Sequence, residues 1–175
     1  MRILGLSGSA RRLSTNTALL RALARLVPEG VGLSVFDGTG SLPVFSPDLE
    51  TDPPYVVQDY IAQMSEADGV LIASPEYALS IPGGLKNTLD WIVSRDTLAE
   101  KPIALAHASH RGDDMLADLR RVLATLSTRF APDLFLRFLL MKMTPDEVAD
   151  IVAQPQNAKA ASNFLSQFAV FSRRP

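Results

Sequence analysis

The chain alternates short apolar runs with longer stretches whose apolar residues recur every three or four positions. Apolar runs occupy residues 2–6, 69–73, 103–108 and 134–140, and apolar residues alternate with smaller or polar ones over residues 31–36. Runs of this length bounded by polar turns are typical of strands in a buried parallel sheet. The longer stretches have the periodicity of amphipathic helices. The pattern therefore predicts five strands separated by helices, starting with the order βαβαβ.

Strands that alternate with helices predict an α/β fold, a doubly wound parallel sheet with helices on both faces and right-handed crossovers. Ligands of such folds bind beyond the carboxyl ends of the strands, where the strand order reverses. In a five-stranded sheet of order 2-1-3-4-5, this point lies between strands one and three. The polar loops at residues 7–17 and 74–84 are then expected to face each other across one cleft.

The first polar loop, LSGSARRLSTNT at residues 6–17, leads from the first strand into a helix. The first N–H groups of a helix lack internal partners, and the helix dipole favours an anion there. Gly8 permits a sharp turn, and Arg11 adds a charge with bidentate geometry. The loop also carries hydroxyl and amide groups on Ser7, Ser9, Ser14, Thr15, Asn16 and Thr17. These features predict a phosphate site, and the simpler alternative is an ordinary helix cap at Ser14.

The second polar loop, residues 74–84, has a backbone stiffened by two prolines. Gly83 and Gly84 allow close approach of a flat ligand or of another backbone. Tyr77 can stack on a ring, and Ser80 can form a hydrogen bond with it. The alternative is two unrelated turns, with Tyr77 half buried under a neighbouring helix. Because the first loop is expected across the same cleft, we favour a ligand with a phosphate and a planar heterocycle.

Composition narrows the class of protein. At 175 residues the chain has the length of one domain, spanning residues 1–175. Its formal charge of −2 argues against nucleic acid or an anionic membrane as a partner. The lack of cysteine excludes disulfides, thiolate nucleophiles and cysteine-ligated metal clusters. No leader pattern and no apolar run of about 20 residues is present, so we expect a cytoplasmic protein.

Two motifs make a family resemblance specific. Residues 8–16 match the pattern GSxRxxSxN, and residues 75–91 match PEYNxSxPGxLKNxxDW except at Ala78. The chain thus resembles the NAD(P)H-dependent FMN reductases, flavodoxin-like proteins that include quinone, chromate and azo-dye reductases. The resemblance, strand order included, covers roughly residues 2 to 130. It implies a flavodoxin-like fold and electron transfer from NADPH or NADH through FMN to a quinone-like or other small acceptor, or to free flavin.

The residues and the resemblance together predict a cofactor site. The predicted binding residues are Ser9, Arg11, Ser14, Thr15, Asn16, Thr17, Pro75, Glu76, Tyr77, Ala78, Ser80, Gly83 and Ser109. By the resemblance, the first-loop residues hold the FMN phosphate and the second-loop residues line the isoalloxazine ring. We predict no catalytic acid or base and no metal ligand, because FMN carries the chemistry. His107 and His110 are expected to be a buried polar side chain and a solvated loop residue, respectively.

Two departures from the family pattern lie in this site. Position 78 is Ala where the family usually has Asn, so a side-chain amide is missing. The third loop, residues 109–114, has one glycine where the family commonly has a smaller, glycine-rich turn. Its bulk and charge are expected to change how the flavin edge is held or to narrow access for the nicotinamide.

The resemblance also implies a homodimer or homotetramer. The matching residues Lys86, Asn87, Asp90 and Trp91 are expected to support the second loop and a dimer contact. Two other functions stay open at this stage. A flavodoxin-like electron carrier is disfavoured by the near-neutral charge, because such a carrier is expected to have a strongly acidic docking face. A non-enzymatic flavin-binding or interaction module is suggested by Ala78 and the third loop.

Overall fold

The computed structural model describes residues 1–173, and its five strands form one parallel sheet of order β2-β1-β3-β4-β5. The strands are β1 (Arg2–Ser7), β2 (Gly32–Phe36), β3 (Gly69–Ala73), β4 (Ile103–His107) and β5 (Phe130–Arg137). In the central register, Leu6 of β1 pairs with Phe36 of β2 and with Ile72 of β3. The predicted α/β class, strand order and flavodoxin-like topology are confirmed.

Six α-helices connect or follow the strands. They are α1 (Thr15–Leu23), α2 (Tyr55–Glu66), α3 (Gly83–Val93), α4 (Asp113–Leu126), α5 (Pro145–Ala153) and α6 (Pro155–Arg173). Thr144 forms a capping box with Glu147 at the start of α5. No helix within residues 1–173 combines the length and the apolar character needed to cross a membrane.

The fifth strand differs from its predicted range of 134–140. It begins at Phe130 and ends at Arg137, and its pairing with β4 is irregular between Ile103 and Leu105. As an edge strand, β5 has only Leu136 buried, so its first half lacks the apolar run that marks the other strands. Residues 138–143 then continue past the strand along the carboxyl edge of the sheet.

The sheet separates two hydrophobic cores. Alternating residues point to opposite faces, so Ile3 belongs to one core and Leu4 to the other. The first core packs α1, α5 and α6 against the sheet and includes the fully buried Phe168. The second core contains α2, α3 and α4, with the fully buried Tyr60 and Trp91. With both faces covered, the sheet leaves its carboxyl edge accessible for a binding site.

Residues 37–54 contain two short 3-10 turns, Gly38–Gly40 and Pro47–Leu49. The Asn87 side chain accepts a hydrogen bond from the Phe45 N–H at 2.7 Å and donates one to the Pro43 carbonyl at 2.9 Å. The indole N–H of Trp91 donates to the same carbonyl at 2.8 Å. These two motif residues therefore hold the 37–54 segment, and their expected support of the second loop and of a dimer contact stays a prediction.

Candidate functional site

A cavity of about 410 Å³ lies at the carboxyl edge of the sheet, where the three polar loops meet. Ligand pockets typically have volumes of about 300–1,000 Å³. Its lining residues are Arg11, Thr15, Asn16, Pro75, Glu76, His107, Ala108, Ser109, Arg111, Gly112, Met141, Lys142 and Met143. The first and second loops thus share one cleft with the third loop, and the segment after β5 supplies a fourth wall.

The first loop presents unpaired donors to this cavity. The Ser14 hydroxyl accepts from the Thr17 N–H at 3.4 Å and caps α1, as in the simpler interpretation of that residue. The N–H groups of Thr15 and Asn16 find no acceptor within residues 1–173, and neither does the exposed guanidinium of Arg11. Two helix N–H groups and an arginine among the lining residues are the kind of donors that bind an anion in proteins.

Buried polar contacts hold this loop in place. The hydroxyls of Ser7 and Thr17 are 2.7 Å apart, and Thr39 donates to the Ser7 carbonyl at 2.5 Å. The Oδ1 atom of Asn16 accepts from the Ala108 N–H at 3.3 Å, which joins α1 to the end of β4. The Nδ2 group of Asn16 has no acceptor in the described part of the chain, so it is available to donate into the cavity.

The second loop is fastened to α4. The Glu76 carboxylate accepts from the Met115 N–H at 3.3 Å, in the first turn of α4. The Ser80 hydroxyl donates to Asp118 on the same helix at 2.7 Å. These two predicted cofactor residues therefore stabilise the site through α4, because each uses its side chain for a contact within the protein.

The His107 side chain connects the second loop to the third loop. Its Nδ1 atom lies 3.1 Å from the Ser74 carbonyl oxygen, and its Nε2 atom lies 2.6 Å from that of Arg111. Burial lowers the pKa of His107, Arg137 acts in the same direction, and the two carbonyls and Asp113 oppose them. The neutral ring favoured by burial has one N–H, which fits the shorter contact to Arg111. The expected assignment of His107 as a buried polar side chain is confirmed, and His110 is exposed.

Two glycines permit the close approach of these loops. A Cβ atom at Gly8 would lie 2.4 Å from the Ser74 Oγ atom and 2.9 Å from Leu85. A Cβ atom at Gly112 would lie 2.8 Å from the Nε2 atom of His107, and the φ of Gly112 is +97°. A side chain at either position would separate walls of the cavity.

The tip of the second loop is a tight hairpin turn. Tyr77 and Ser80 exchange two backbone hydrogen bonds of 3.2 and 3.1 Å. Ala78 and Leu79 between them have φ values of +51° and +60°, which is the pattern of a type I′ turn. Asn tolerates this left-handed region better than Ala, so the departure from the family pattern at position 78 introduces backbone strain.

The comparisons with known proteins agree with this geometry. Residues 1–137 match the family described as NADPH-dependent FMN reductase. The chain belongs to this family. FMN is the cofactor of its reductases, and the predicted membership and cofactor class are confirmed.

Individual relatives of this family member are quinone reductases and flavoenzymes. A 2-hydroxy-1,4-benzoquinone reductase from Burkholderia sp is 46% identical over 84 residues, which are 48% of this chain and 45% of the relative. A quinone reductase from Escherichia coli K12 is 32% identical over 113 residues, covering 62% and 60% of the two chains. The chain thus spans about half of the first relative's length and 60% of the second's.

A solved structure shows the same fold over nearly the whole chain. The flavoenzyme NAD(P)H:(acceptor) oxidoreductase FerB from Paracoccus denitrificans superposes with a TM-score of 0.77 at 23% identity. The match covers 98% of this chain and 96% of FerB. At this level of identity, the similarity establishes the flavodoxin-like fold.

The predicted FMN residues of this family member fall into three groups. Arg11, Thr15, Asn16, Pro75, Glu76 and Ser109 line the cavity. Ser9, Ser14, Thr17 and Ser80 are not among the lining residues and form hydrogen bonds within the protein. Tyr77, Ala78 and Gly83 are exposed and lie outside the cavity lining.

Several lining residues were not among the predicted site residues. They are His107, Ala108, Arg111, Gly112, Met141, Lys142 and Met143. The segment 141–143 carries no motif and lies far along the chain from the third loop. Its position in the fold could have indicated a place in the site. The segment follows the strand next to β4, so it must leave the sheet at the same edge.

The donors present suit FMN. A phosphate needs several N–H donors and a positive charge, which the start of α1 and Arg11 supply. The remaining lining offers Pro75, Ala108 and two methionines, which can pack against a planar ring. It also contains the polar or charged residues Glu76, His107, Ser109, Arg111 and Lys142.

Proposed function

We propose that this chain is an FMN-dependent oxidoreductase. It takes electrons from NADPH or NADH and passes them through FMN to a quinone-like or other small acceptor, or to free flavin. The observation that carries the proposal is one cavity lined by the unpaired donors of α1, by Arg11 and by the second and third loops. Two of the relatives are named as quinone reductases, which supports a quinone-like acceptor.

In this proposal the protein contributes binding and orientation. FMN, when bound, supplies the chemistry of accepting a hydride and releasing its electrons to an acceptor. Arg11, with the N–H groups of Thr15 and Asn16, binds the phosphate. Pro75 and Ser109 flank the ring, while Glu76 keeps α4 against the second loop. Preorganised loops of this kind position a cofactor without rearrangement during the reaction.

The visible spectrum of the purified protein tests the proposal. We expect absorbance from bound FMN after incubation with the cofactor, and we expect NADPH or NADH to bleach it under nitrogen. Adding a quinone should then restore the absorbance of oxidised FMN. A protein that binds no FMN is an interaction module, and one whose bound FMN is unaffected by either nucleotide is an electron carrier. Either result contradicts the reductase assignment.

The remaining expectations belong to the same proposal. They are one domain over residues 1–175, a cytoplasmic location and a homodimer or homotetramer. Residues 174 and 175 lie outside the described residues. Gel filtration with light scattering measures the assembly directly, and a monomeric mass at micromolar concentration would contradict that part of the proposal.

A further inference from the structure

A second cavity adjoins the proposed FMN site. It has a volume of about 420 Å³ and is lined by His110, Arg111, Leu139, Met141 and Lys142. Arg111, Met141 and Lys142 also line the first cavity, so the two spaces are neighbours. None of the residues of the first or second loop lines the second cavity. This second compartment therefore lies beside the proposed FMN site, on the side of the third loop and residues 139–142.

The charge of this compartment is positive. Its lining contains Arg111, Lys142 and an imidazole from His110, and no carboxylate. Neither Arg111 nor Lys142 forms an ion pair through its side chain with any residue from 1 to 173. Nearby Arg137, in contrast, is paired with Asp113 at 2.5 Å. Two unpaired cations that share a cavity favour an anionic ligand.

Lys142 is held in place at this compartment by the backbone. Its φ is +66°, in the left-handed region that non-glycine residues seldom adopt. The preceding segment is fixed to β4 because Phe138 donates to the His107 carbonyl at 2.9 Å and Leu140 to that of Ala108 at 3.3 Å. Strained backbone conformations that the surrounding structure maintains are concentrated at binding sites.

We infer that the second cavity binds the 2′-phosphate of NADPH, an inference that rests on the proposed function. A phosphomonoester carries nearly two negative charges at neutral pH, and arginine binds it with two parallel hydrogen bonds. The start of α1 with Arg11 already provides a place for the FMN phosphate, so Arg111 and Lys142 are available for a second phosphate. NADH has a hydroxyl group at that position, and the enzyme therefore prefers NADPH.

Binding of two adenine nucleotides to the FMN-loaded protein tests this inference by calorimetry. Adenosine 2′,5′-bisphosphate carries the 2′-phosphate, and 5′-AMP lacks it. Because charge-assisted hydrogen bonds are strong, we expect the bisphosphate to bind about tenfold tighter or more. Arg111→Gln and Lys142→Gln should each reduce this ratio by about fivefold or more. Lys159→Gln removes the same charge from an exposed position on α6 outside both cavities and should preserve the ratio.

A further variant separates charge from backbone strain. Lys142→Gly removes the ammonium group and also relieves the left-handed conformation, so it should lose the nucleotide preference without losing thermal stability. The ratio of kcat/KM for NADPH to kcat/KM for NADH should fall in the same variants.

The possible failures are distinguishable. Equal affinities for the two adenine nucleotides in the unmodified protein would overturn the inference and leave the reductase assignment intact. A raised Kd for FMN with an unchanged nucleotide ratio in the Arg111 and Lys142 variants would also overturn it, since both side chains would then serve the FMN phosphate. A protein that does not bind FMN refutes the proposed function itself.

Discussion

The Nε2 atom of His107 lies 2.6 Å from the carbonyl oxygen of Arg111, and this contact connects the end of β4 to the third loop. The opposite ring nitrogen faces the Ser74 carbonyl of the second loop at 3.1 Å. One buried imidazole therefore spans two walls of the cavity. His107 is 1% exposed, so a positive charge on its ring would be poorly solvated. Protonation of this ring therefore lowers the stability of the folded state.

The stability of the protein should fall as the pH is lowered below about 6.5, the ordinary pKa of histidine. Burial lowers the pKa of His107 in the folded state. Between the folded and unfolded pKa values, the unfolded chain binds more protons, so the free energy of unfolding decreases as the pH falls through that range. Urea unfolding at several pH values between 7.5 and 5 measures this slope.

Two histidine variants identify the source of this pH dependence. His107→Gln should reduce the slope, while His110→Gln, which removes an exposed imidazole, should retain it. An unchanged slope in His107→Gln would show that His107 has the same pKa in the folded and unfolded states.

The contact between Glu76 and α4 should contribute measurably to stability. Glu76→Ala leaves the Met115 N–H without its acceptor and should lower the free energy of unfolding by about 0.5–2 kcal/mol, the range for loss of a helix cap. Glu76→Gln keeps a carbonyl oxygen in the side chain and should lose less. Equal stability of the Ala variant and the unmodified protein in urea unfolding would argue against this capping role.

A substitution in the turn at Ala78 and Leu79 should increase the stability of the protein. Ala78→Asn places a residue that tolerates positive φ in the type I′ turn and should raise the free energy of unfolding by about 0.5–1 kcal/mol. Ala78→Val serves as the opposite control, because a β-branched side chain is strongly disfavoured there and should destabilise the protein. Thermal unfolding of the two variants should show Tm changes of opposite sign.

Gly8 should resist substitution because the first and second loops touch at this residue. Gly8→Ala inserts a Cβ atom into contact with Ser74 and Leu85 and should cost about 1–3 kcal/mol, as overpacking does. Gly32→Ala is the matched control, since a Cβ atom there meets nothing within 4 Å. Urea unfolding of both variants makes the comparison, and equal losses would refute the steric explanation.

Arg11 should contribute directly to FMN affinity. Arg11→Ala is expected to weaken FMN binding by about 1.5–3 kcal/mol, the range for a hydrogen bond to a charged group. Arg12→Ala removes the same charge from the adjacent exposed residue, which does not line the cavity, and should have a small effect. Fluorescence titration gives both dissociation constants. If the Arg11 variant binds FMN as tightly as the unmodified protein, Arg11 is not a phosphate ligand.

The alternation of strands and helices and the position of the first two loops follow from local features of the chain, whereas the strand order was implied by the family resemblance. Fully buried strands such as β3 leave an uninterrupted apolar run, and a parallel connection is restricted in hand. The cap at Ser14 and the donors at the start of α1 are likewise set by residues close together in sequence. These features act over a few positions, so pattern and spacing were sufficient to predict a parallel α/β sheet and the donors at the start of α1.

The tertiary structure alone determined how the second loop and the segment after β5 are assembled around the cavity. The bonds of Glu76 to Met115 and of Ser80 to Asp118 join residues 39 and 38 positions apart, and they direct two predicted cofactor side chains toward α4. Lys142 reaches the cavity only because β5 pairs beside β4 and its continuation is bonded back to that strand. Contacts between distant segments depend on the packing of the whole sheet, which no local pattern encodes. The sequence thus determined where the loop donors at the start of α1 lie, and the tertiary structure decided which side chains surround them.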